Sequence, residues 1–380
     1  MRVLLVTNVF PPAIGGPATF GARLAEELFQ GGHKVKVVCA TEDFTATHRF
    51  PFPVVRAGFS GNLLQREISL RMQLLKASFA SDIIYCMGLE HQTAWASSIL
   101  RKPFVLRIGG DSVWEGARNL GTTDLEPEAY YAEISPDTRL EVKIPEQRRL
   151  IQLKSAATVV YVSNYLKQLA GVWSSNRPVR ECIIPNGIST NEKWILPGRK
   201  ADKPMRLLFV GRQTNWKGVD AILLALRNIE GVKLTVAGSG PMLPANIDLA
   251  RRLGLGKKVE FLGHVDTRGV EKLMTNHHVL ILPSLYEGLS NTLLEAGAAG
   301  LACIASDRGG NPEVITHNET GLLVDPFTIE DIGSAIRLLS DNDEKRKQFA
   351  MDHRIRVMSE FTMEQSVKRT VQVLEDAISH

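Results

Sequence analysis

Two glutamates eight positions apart, Glu287 and Glu295, stand out because their surroundings are nearly uncharged: from Leu289 to Ser306, Glu295 is the only acidic or basic side chain. An ordinary solvated helix face would carry more charge. The apolar run 279–282 reads as a buried strand stopped by Pro283, so residues 284–288 form a loop at its C-terminal end, where ligands collect in open parallel sheets. Ser290 can cap a helix through Leu293, Leu294, Ala296, Ala298 and Ala299, ended by Gly300. Glu287 then precedes the helix and Glu295 lies inside it. Eight helical residues span roughly 12 Å, so the two carboxylates can grip separate parts of an extended ligand. Its anionic middle would sit on the amides of Gly288, Leu289 and Ser290. That pattern describes a nucleotide-sugar.

Other stretches have anion-site chemistry. In GRQTNWKG, residues 211–218, Arg212 and Lys217 lie five apart on a loop that opens a helix, and two cations there can neutralise a diphosphate without a metal. The stretch lacks the second glycine and the hydroxyl of a P-loop. Near the N-terminus, Gly15 and Gly16 close a loop after an apolar strand and read either as a phosphate cradle or as a tight turn; the GxGxxG dinucleotide pattern is not met. In RIGGDSVWEG, Asp111 can stabilise positive charge at a reacting carbon, contact a hydroxyl, or serve as a turn residue. His277 and His278 have no metal-type partners in the sequence around them. Asp341 and Asp343 form a DxD, but in a heavily charged helix tail, so no metal site is expected.

The elements that must position these residues alternate strand and helix. Apolar runs at 3–6, 35–39, 82–85, 104–108, 157–162 and 182–184, and again at 207–210, 234–237, 259–266 and 279–282, predict strands of parallel sheets. The fold class expected is α/β with two Rossmann-like parallel-sheet domains: 1–188, a polar linker 189–204, and 205–361. A last helix, 362–380, with Val367, Val371 and Leu374 on one stripe, would cross back to the first domain. Leu64, Ile68, Met72, Leu75 and Phe79 form a helical stripe read as core-packing, with weak peripheral membrane contact as the alternative. Residues 117–148 show no sustained period and read as a loop that shapes an acceptor pocket or as variable surface.

The chain has 380 residues and a net charge of +4. No basic cluster marks a nucleic-acid partner. Cys39, Cys86, Cys182 and Cys303 lie in apolar surroundings without CxxC spacing, which predicts reduced core thiols. No apolar run reaches membrane-spanning length and the start is too short for a signal peptide. The expected location is the cytoplasm, including the inner face of the membrane.

The E-x7-E pair, the following EAxAxG, LACIAS, DRGGNPE and TGLLVDP, with VSNYLKQL and IIPNGI at the end of the first half, resemble the retaining glycosyltransferases of family GT4, whose fold is GT-B. The resemblance implies two domains facing across a cleft. It also implies sugar transfer from a nucleotide-diphosphate-sugar, with retention, to a glycan, lipid-linked or small-molecule acceptor, as in polysaccharide biosynthesis. On that footing Arg212, Lys217, Gly15, Gly16 and the helix start at Gly288, Leu289 and Ser290 hold the diphosphate. Glu295 takes the ribose, Glu287 the transferred sugar, and His264 the base. Where relatives carry a histidine after the strand at 104–108, this chain has Gly109, and Asp111 is the nearest polar substitute for the catalytic work. An epimerase or phosphorylase of similar architecture, or a non-catalytic nucleotide-sugar sensor, are the other classes.

Overall fold

The computed structural model describes residues 1–13, 16–40, 50–57, 62–133, 140–173, 180–189 and 204–379. Gly15 and positions 190–203 of the expected linker lie outside the described residues. The chain forms two compact units, one of Met1–Glu115, Pro127–Gly187 and Met363–His380, the other of Gly116–Glu126 and Ile188–Thr362.

The first unit holds β1 (Arg2–Thr7), β2 (Lys34–Ala40), β3 (Val54–Ala57), β4 (Ile83–Cys86), β5 (Phe104–Ile108), β6 (Thr158–Tyr161) and β7 (Glu181–Ile183) in the order β3-β2-β1-β4-β5-β6-β7. Every pairing is parallel. Continuous apolar strands such as Val3 to Val6, each at most 1 % exposed, are what a sheet covered on both faces requires. The helices are α1 (Gly16–Gln30), α2 (Leu63–Phe79), α3 (Glu90–Leu100), α4 (Ser112–Asn119), α5 (Pro127–Glu133), α6 (Leu140–Ser155) and α7 (Asn164–Trp173). Phe20, Leu24 and Leu28 of α1 join Leu5, Val37, Tyr85 and Val105 in the core, together with Met363 and Leu374 of the chain's last helix.

Two expectations fail here. Helix α2 forms, but the stripe read as core points outward: Leu64, Ile68, Met72 and Phe79 are 69, 54, 48 and 73 % exposed, while Leu70, Leu74 and Ala77 are buried. The helix carries two apolar faces, and periodicity alone does not say which one meets the sheet. Within 117–148, read as loop, the chain makes α5 and the start of α6. Pro127 suits a first helical turn, and Tyr130 and Tyr131 anchor α5 in the core.

The second unit holds β8 (Met205–Val210), β9 (Val232–Ala237), β10 (Val259–Gly263), β11 (Val279–Leu282), β12 (Ala302–Ser306) and β13 (Leu322–Val324), parallel and in the order β10-β9-β8-β11-β12-β13. Its helices are α8 (Val219–Leu226), α9 (Leu243–Arg252), α10 (Thr267–Asn276), α11 (Asn291–Ala298), α12 (Asn311–Val314), α13 (Ile329–Asp341) and α14 (Asp343–Glu360); α15 (Met363–Ile378) belongs to the first unit. Ser366 of α15 donates to the carbonyl of Pro185 at 3.0 Å there. Residues 116–126 group with the second unit, where Arg308 donates to Glu126 at 3.1 Å.

Candidate functional site

In the second sheet β8 pairs with β9 on one side and β11 on the other. The connections leaving β8 and β11 therefore diverge, and a crevice opens at their C-terminal ends, where open α/β sheets bind ligands. The loop after β8 carries Arg212 and Lys217, and the loop after β11 carries Glu287, Gly288, Leu289 and Ser290. The fold brings these two loops into contact. Lys217 Nζ donates to Glu287 Oε1 at 2.7 Å, with the side chains 19 and 13 % exposed. The Leu285 amide donates to the carbonyl of Trp216 at 2.7 Å. Gly218, at φ +70°, starts α8 where a Cβ would fall 2.4 Å from the Pro283 carbonyl oxygen, so a side chain there would force the loops apart.

Each loop is also fixed from behind. Gln213, fully buried, donates to the carbonyl of Gly238 at 2.7 Å and accepts from Asn246 at 2.9 Å, tying the first loop to the turn after β9. The Ser306 hydroxyl donates to the Ser284 carbonyl at 2.5 Å and accepts from Asn311 at 2.9 Å, while the Gly310 amide donates to the Glu287 carbonyl at 2.8 Å. A Cβ on Gly310 would lie 2.2 Å from the Gly288 carbonyl oxygen. DRGGNPE is thus the floor under Glu287 and Gly288. Sequence reasoning read Gly309 and Gly310 only as parts of a motif and missed Gln213, Asn246 and Ser306, whose roles depend on partners 5 to 33 positions away.

Ser290 caps α11 as expected, its hydroxyl accepting from the Leu293 amide at 3.3 Å. Glu295 lies half-buried in the second turn. The buried side of α11 rests on α14 through Gly297, where a Cβ would lie 2.6 Å from Val357 and 2.9 Å from the His353 ring. His353 is fully buried, its Nδ1 3.4 Å from Cys303 Sγ, and burial pushes its pKa down to about 4. His264 stands exposed after β10, the edge strand two places from β8.

The first unit places Gly16 at the start of α1, after β1. Asp111 is sealed at 1 % exposure: Tyr131 donates to both carboxylate oxygens at 2.8 and 2.7 Å, and Arg149, stacked on Trp173 at 3.9 Å, donates to Oδ1 at 2.9 Å. Burial pushes the Asp111 carboxyl and the Tyr131 hydroxyl up, and Arg149 pulls both back. The expectation that Asp111 acts on a reacting carbon does not fit a carboxylate whose oxygens are engaged in the core; it positions α4, accepting from the Trp114 amide at 3.2 Å. At Gly109 a Cβ would meet nothing within 4 Å. The space is open.

Among the described residues no His, Cys, Asp or Glu group is arranged to hold a metal. Asp343 pairs with Lys347 at 2.7 Å, which draws its pKa down. His277 donates from Nδ1 to the Leu273 carbonyl at 2.7 Å and its Nε2 bonds the Thr235 hydroxyl at 2.8 Å, and His278 accepts from the Arg206 amide at 2.9 Å, both structural uses. Cys39, Cys86 and Cys303 are buried free thiols and Cys182 is a half-buried one.

Residues 190–355, which hold every second-unit residue just described from Arg212 to Glu295, match the family Glycosyl transferases group 1. The whole chain is 27 % identical to an uncharacterized glycosyltransferase of Methanocaldococcus jannaschii, covering 100 % of this chain and 99 % of that one. Residues 190–355 are a group 1 glycosyltransferase domain of the GT4 type. This glycosyltransferase is also 27 % identical to the GDP-mannose-dependent alpha-(1-6)-phosphatidylinositol monomannoside mannosyltransferase of Mycobacterium tuberculosis, over 90 % of each chain. Its fold is GT-B: sucrose-phosphate synthase from Thermosynechococcus elongatus superposes with a TM-score of 0.82 at 20 % identity, covering 100 % and 99 % of the two chains. HepE of Anabaena, solved with UDP and glucose, gives 0.80 at 18 % identity over 99 % and 100 %. No helix among the described residues of this glycosyltransferase is long and apolar enough to cross a membrane.

Proposed function

We propose that this glycosyltransferase moves a sugar, with retention of anomeric configuration, from a nucleotide-diphosphate-sugar held by its second unit to an acceptor hydroxyl presented by its first. The observation that carries the reading is the Lys217–Glu287 contact of 2.7 Å at the β8/β11 crevice, beside the capped start of α11. Cation, carboxylate and helix N-terminus stand together where a diphosphate and the sugar attached to it need opposite kinds of partner. An incoming diphosphate draws Lys217 and Arg212 toward its oxygens and the start of α11 toward its charge. Glu287, losing part of its hold on Lys217, accepts from the sugar's hydroxyls and faces the positive charge that develops at the anomeric carbon. Glu295 accepts from the ribose, and His264 lies toward the base. As the anomeric C–O bond to phosphate breaks, the acceptor oxygen bonds to the same carbon and its proton leaves on the departing diphosphate. Interactions that strengthen with the leaving charge lower the barrier. No metal is required in this scheme. The GDP-mannose in the name of the mycobacterial relative and the UDP in the HepE structure support the donor class.

The test is release of free nucleoside diphosphate from a panel of donors, with and without glycan, lipid-linked and small-molecule acceptors. Acceptor-dependent release and a glycosylated product with the donor's anomeric configuration are expected. Donor binding without turnover under every acceptor would leave a sensor, and release that needs only free phosphate would leave a phosphorylase.

A further inference from the structure

The first unit has a crevice of its own at the same kind of place. β1 pairs with β2 on one side and β4 on the other, so the loops leaving β1 and β4 diverge at the C-terminal ends of the strands, as those leaving β8 and β11 do in the second unit. The two loops are locked together there. The Leu89 amide donates to Asn8 Oδ1 at 3.0 Å, and the Met87 amide to the Val6 carbonyl at 2.7 Å. A Cβ on Gly88 would lie 2.5 Å from the Asn8 backbone nitrogen, so only glycine permits this approach. Leu89 then takes φ +55°, a left-handed backbone rare for leucine, and α3 begins at Glu90.

Glu90 is the group in this crevice that the fold leaves unmatched. It is half-buried, yet among the described residues no cation and no other side chain donates to it; its donor is its own backbone amide. Half-buried glutamates elsewhere are held, Glu67 by Arg71 and Gln92, and Glu287 by Lys217. The wall behind Glu90 is neutral. Burial, and then the Glu90 charge, push the Cys86 thiol up to about 12, and its Sγ donates to the Gly88 carbonyl at 3.2 Å. Burial likewise pushes the Glu90 carboxyl up. A carboxylate drawn out of water without a partner is costly and marks a candidate functional site. An acid in a first helical turn is favourably placed, which explains the position of Glu90 but not its enclosure beside a thiol. Two neighbouring hydroxyls of a sugar ring or polyol can fill the acceptor positions left on the carboxylate without bringing a charge. An ammonium group needs three acceptors, and Asn8 Oδ1 is already engaged. A phosphate would meet a like charge.

We propose that Glu90 is a specificity residue for the acceptor: its carboxylate accepts from two neighbouring hydroxyls of a neutral sugar or polyol and turns away an acceptor with phosphate at that place. The inference rests on the transfer reading above and deepens it by naming the acceptor's chemistry. The full chain is given UDP-glucose or GDP-mannose, whichever it binds in calorimetry, and glucose, mannose, N-acetylglucosamine or myo-inositol, each beside its monophosphate. Transfer is read as nucleoside diphosphate released above the acceptor-free rate. At least one neutral compound should be glycosylated faster than its monophosphate. Glu90→Gln should raise KM for that acceptor about tenfold or more, the loss of a charged hydrogen bond, keep the wild-type donor affinity, and narrow the gap to the monophosphate. Glu90→Asp, which keeps the charge on a shorter arm, should fall between the two. If Glu90 serves only α3, Glu90→Gln lowers the melting temperature and leaves the acceptor KM alone, which overturns the proposal. Transfer to the monophosphates only, or to none of these compounds by a chain that binds donor, overturns it as well and leaves the donor reading standing. A chain that binds no donor fails at the donor reading, and this inference falls with it.

Discussion

At the scale of the residue, the two acidic positions first picked out from spacing and the one picked out as a stand-in for histidine separate cleanly. Glu287 and Glu295 lie on the loop after β11 and on the helix that follows it, whereas Asp111 is enclosed by Tyr131 and Arg149. Glu295→Ala should therefore keep the fold and weaken donor-nucleotide binding, since a charged hydrogen bond contributes about 1.5–3 kcal/mol; calorimetry showing unchanged affinity in a folded variant removes Glu295 from the donor site. Asp111→Asn should instead act on stability. It leaves the Arg149 guanidinium buried without its carboxylate, a loss of about 3–5 kcal/mol for a broken buried pair, read as a lower midpoint in urea. A variant with wild-type stability and reduced turnover would return Asp111 to the chemistry. Residue type and local spacing made the Ser290 cap legible in the sequence, and with it the places of Glu287 before α11 and Glu295 inside it. They could not show that Asp111 would be sealed by Tyr131 and Arg149, 20 and 38 positions away.

At the scale of the element, strands and caps were easier to read than faces. β11, its stop at Pro283 and the Ser290 cap follow from apolar run, proline and hydroxyl, all local signals. The burial of α2 does not, because Leu70 and Leu74 repeat at the same helical interval as Leu64 and Ile68, and only the neighbouring strand decides between them. The α11–α14 contact gives a pH prediction. His353 has an ordinary pKa of 6.5 that burial lowers to about 4, so the folded chain keeps the imidazole neutral. Above pH ~6.5 neither state takes the proton and this stability is fully present. Between pH ~6.5 and ~4 the unfolded chain binds a proton that the folded one refuses, and stability falls by about 3 kcal/mol in total. Urea unfolding across that range should show a one-proton slope that His353→Gln abolishes; an unchanged slope in the variant would assign the pH dependence to other groups.

At the scale of the whole molecule, the alternation of apolar strands with helical stripes was enough to give two parallel-sheet α/β units, because the central strands, such as β1, β4, β11 and β12, are buried on both faces and announce themselves as continuous runs. Strand order was not legible, and it is the order that places β8 beside β11 and so turns two distant motifs into one site. On the proposed reading that site sets Arg212, Lys217 and the N-terminus of α11 against the charge of Glu287 and Glu295, a balance with a consequence for metal use. A diphosphate brings about two further negative charges, and the two cations and the helix start can meet them as Lys217 shifts from Glu287 to phosphate. Transfer should then proceed in EDTA at close to the untreated rate, and Lys217→Ala, which leaves Glu287 without its partner beside the incoming diphosphate, should reduce donor affinity more than removal of an isolated surface cation would. Complete loss of activity on chelation, restored by a divalent ion, would show that the protein's own cations do not suffice, and that the diphosphate reaches the crevice already carrying a metal.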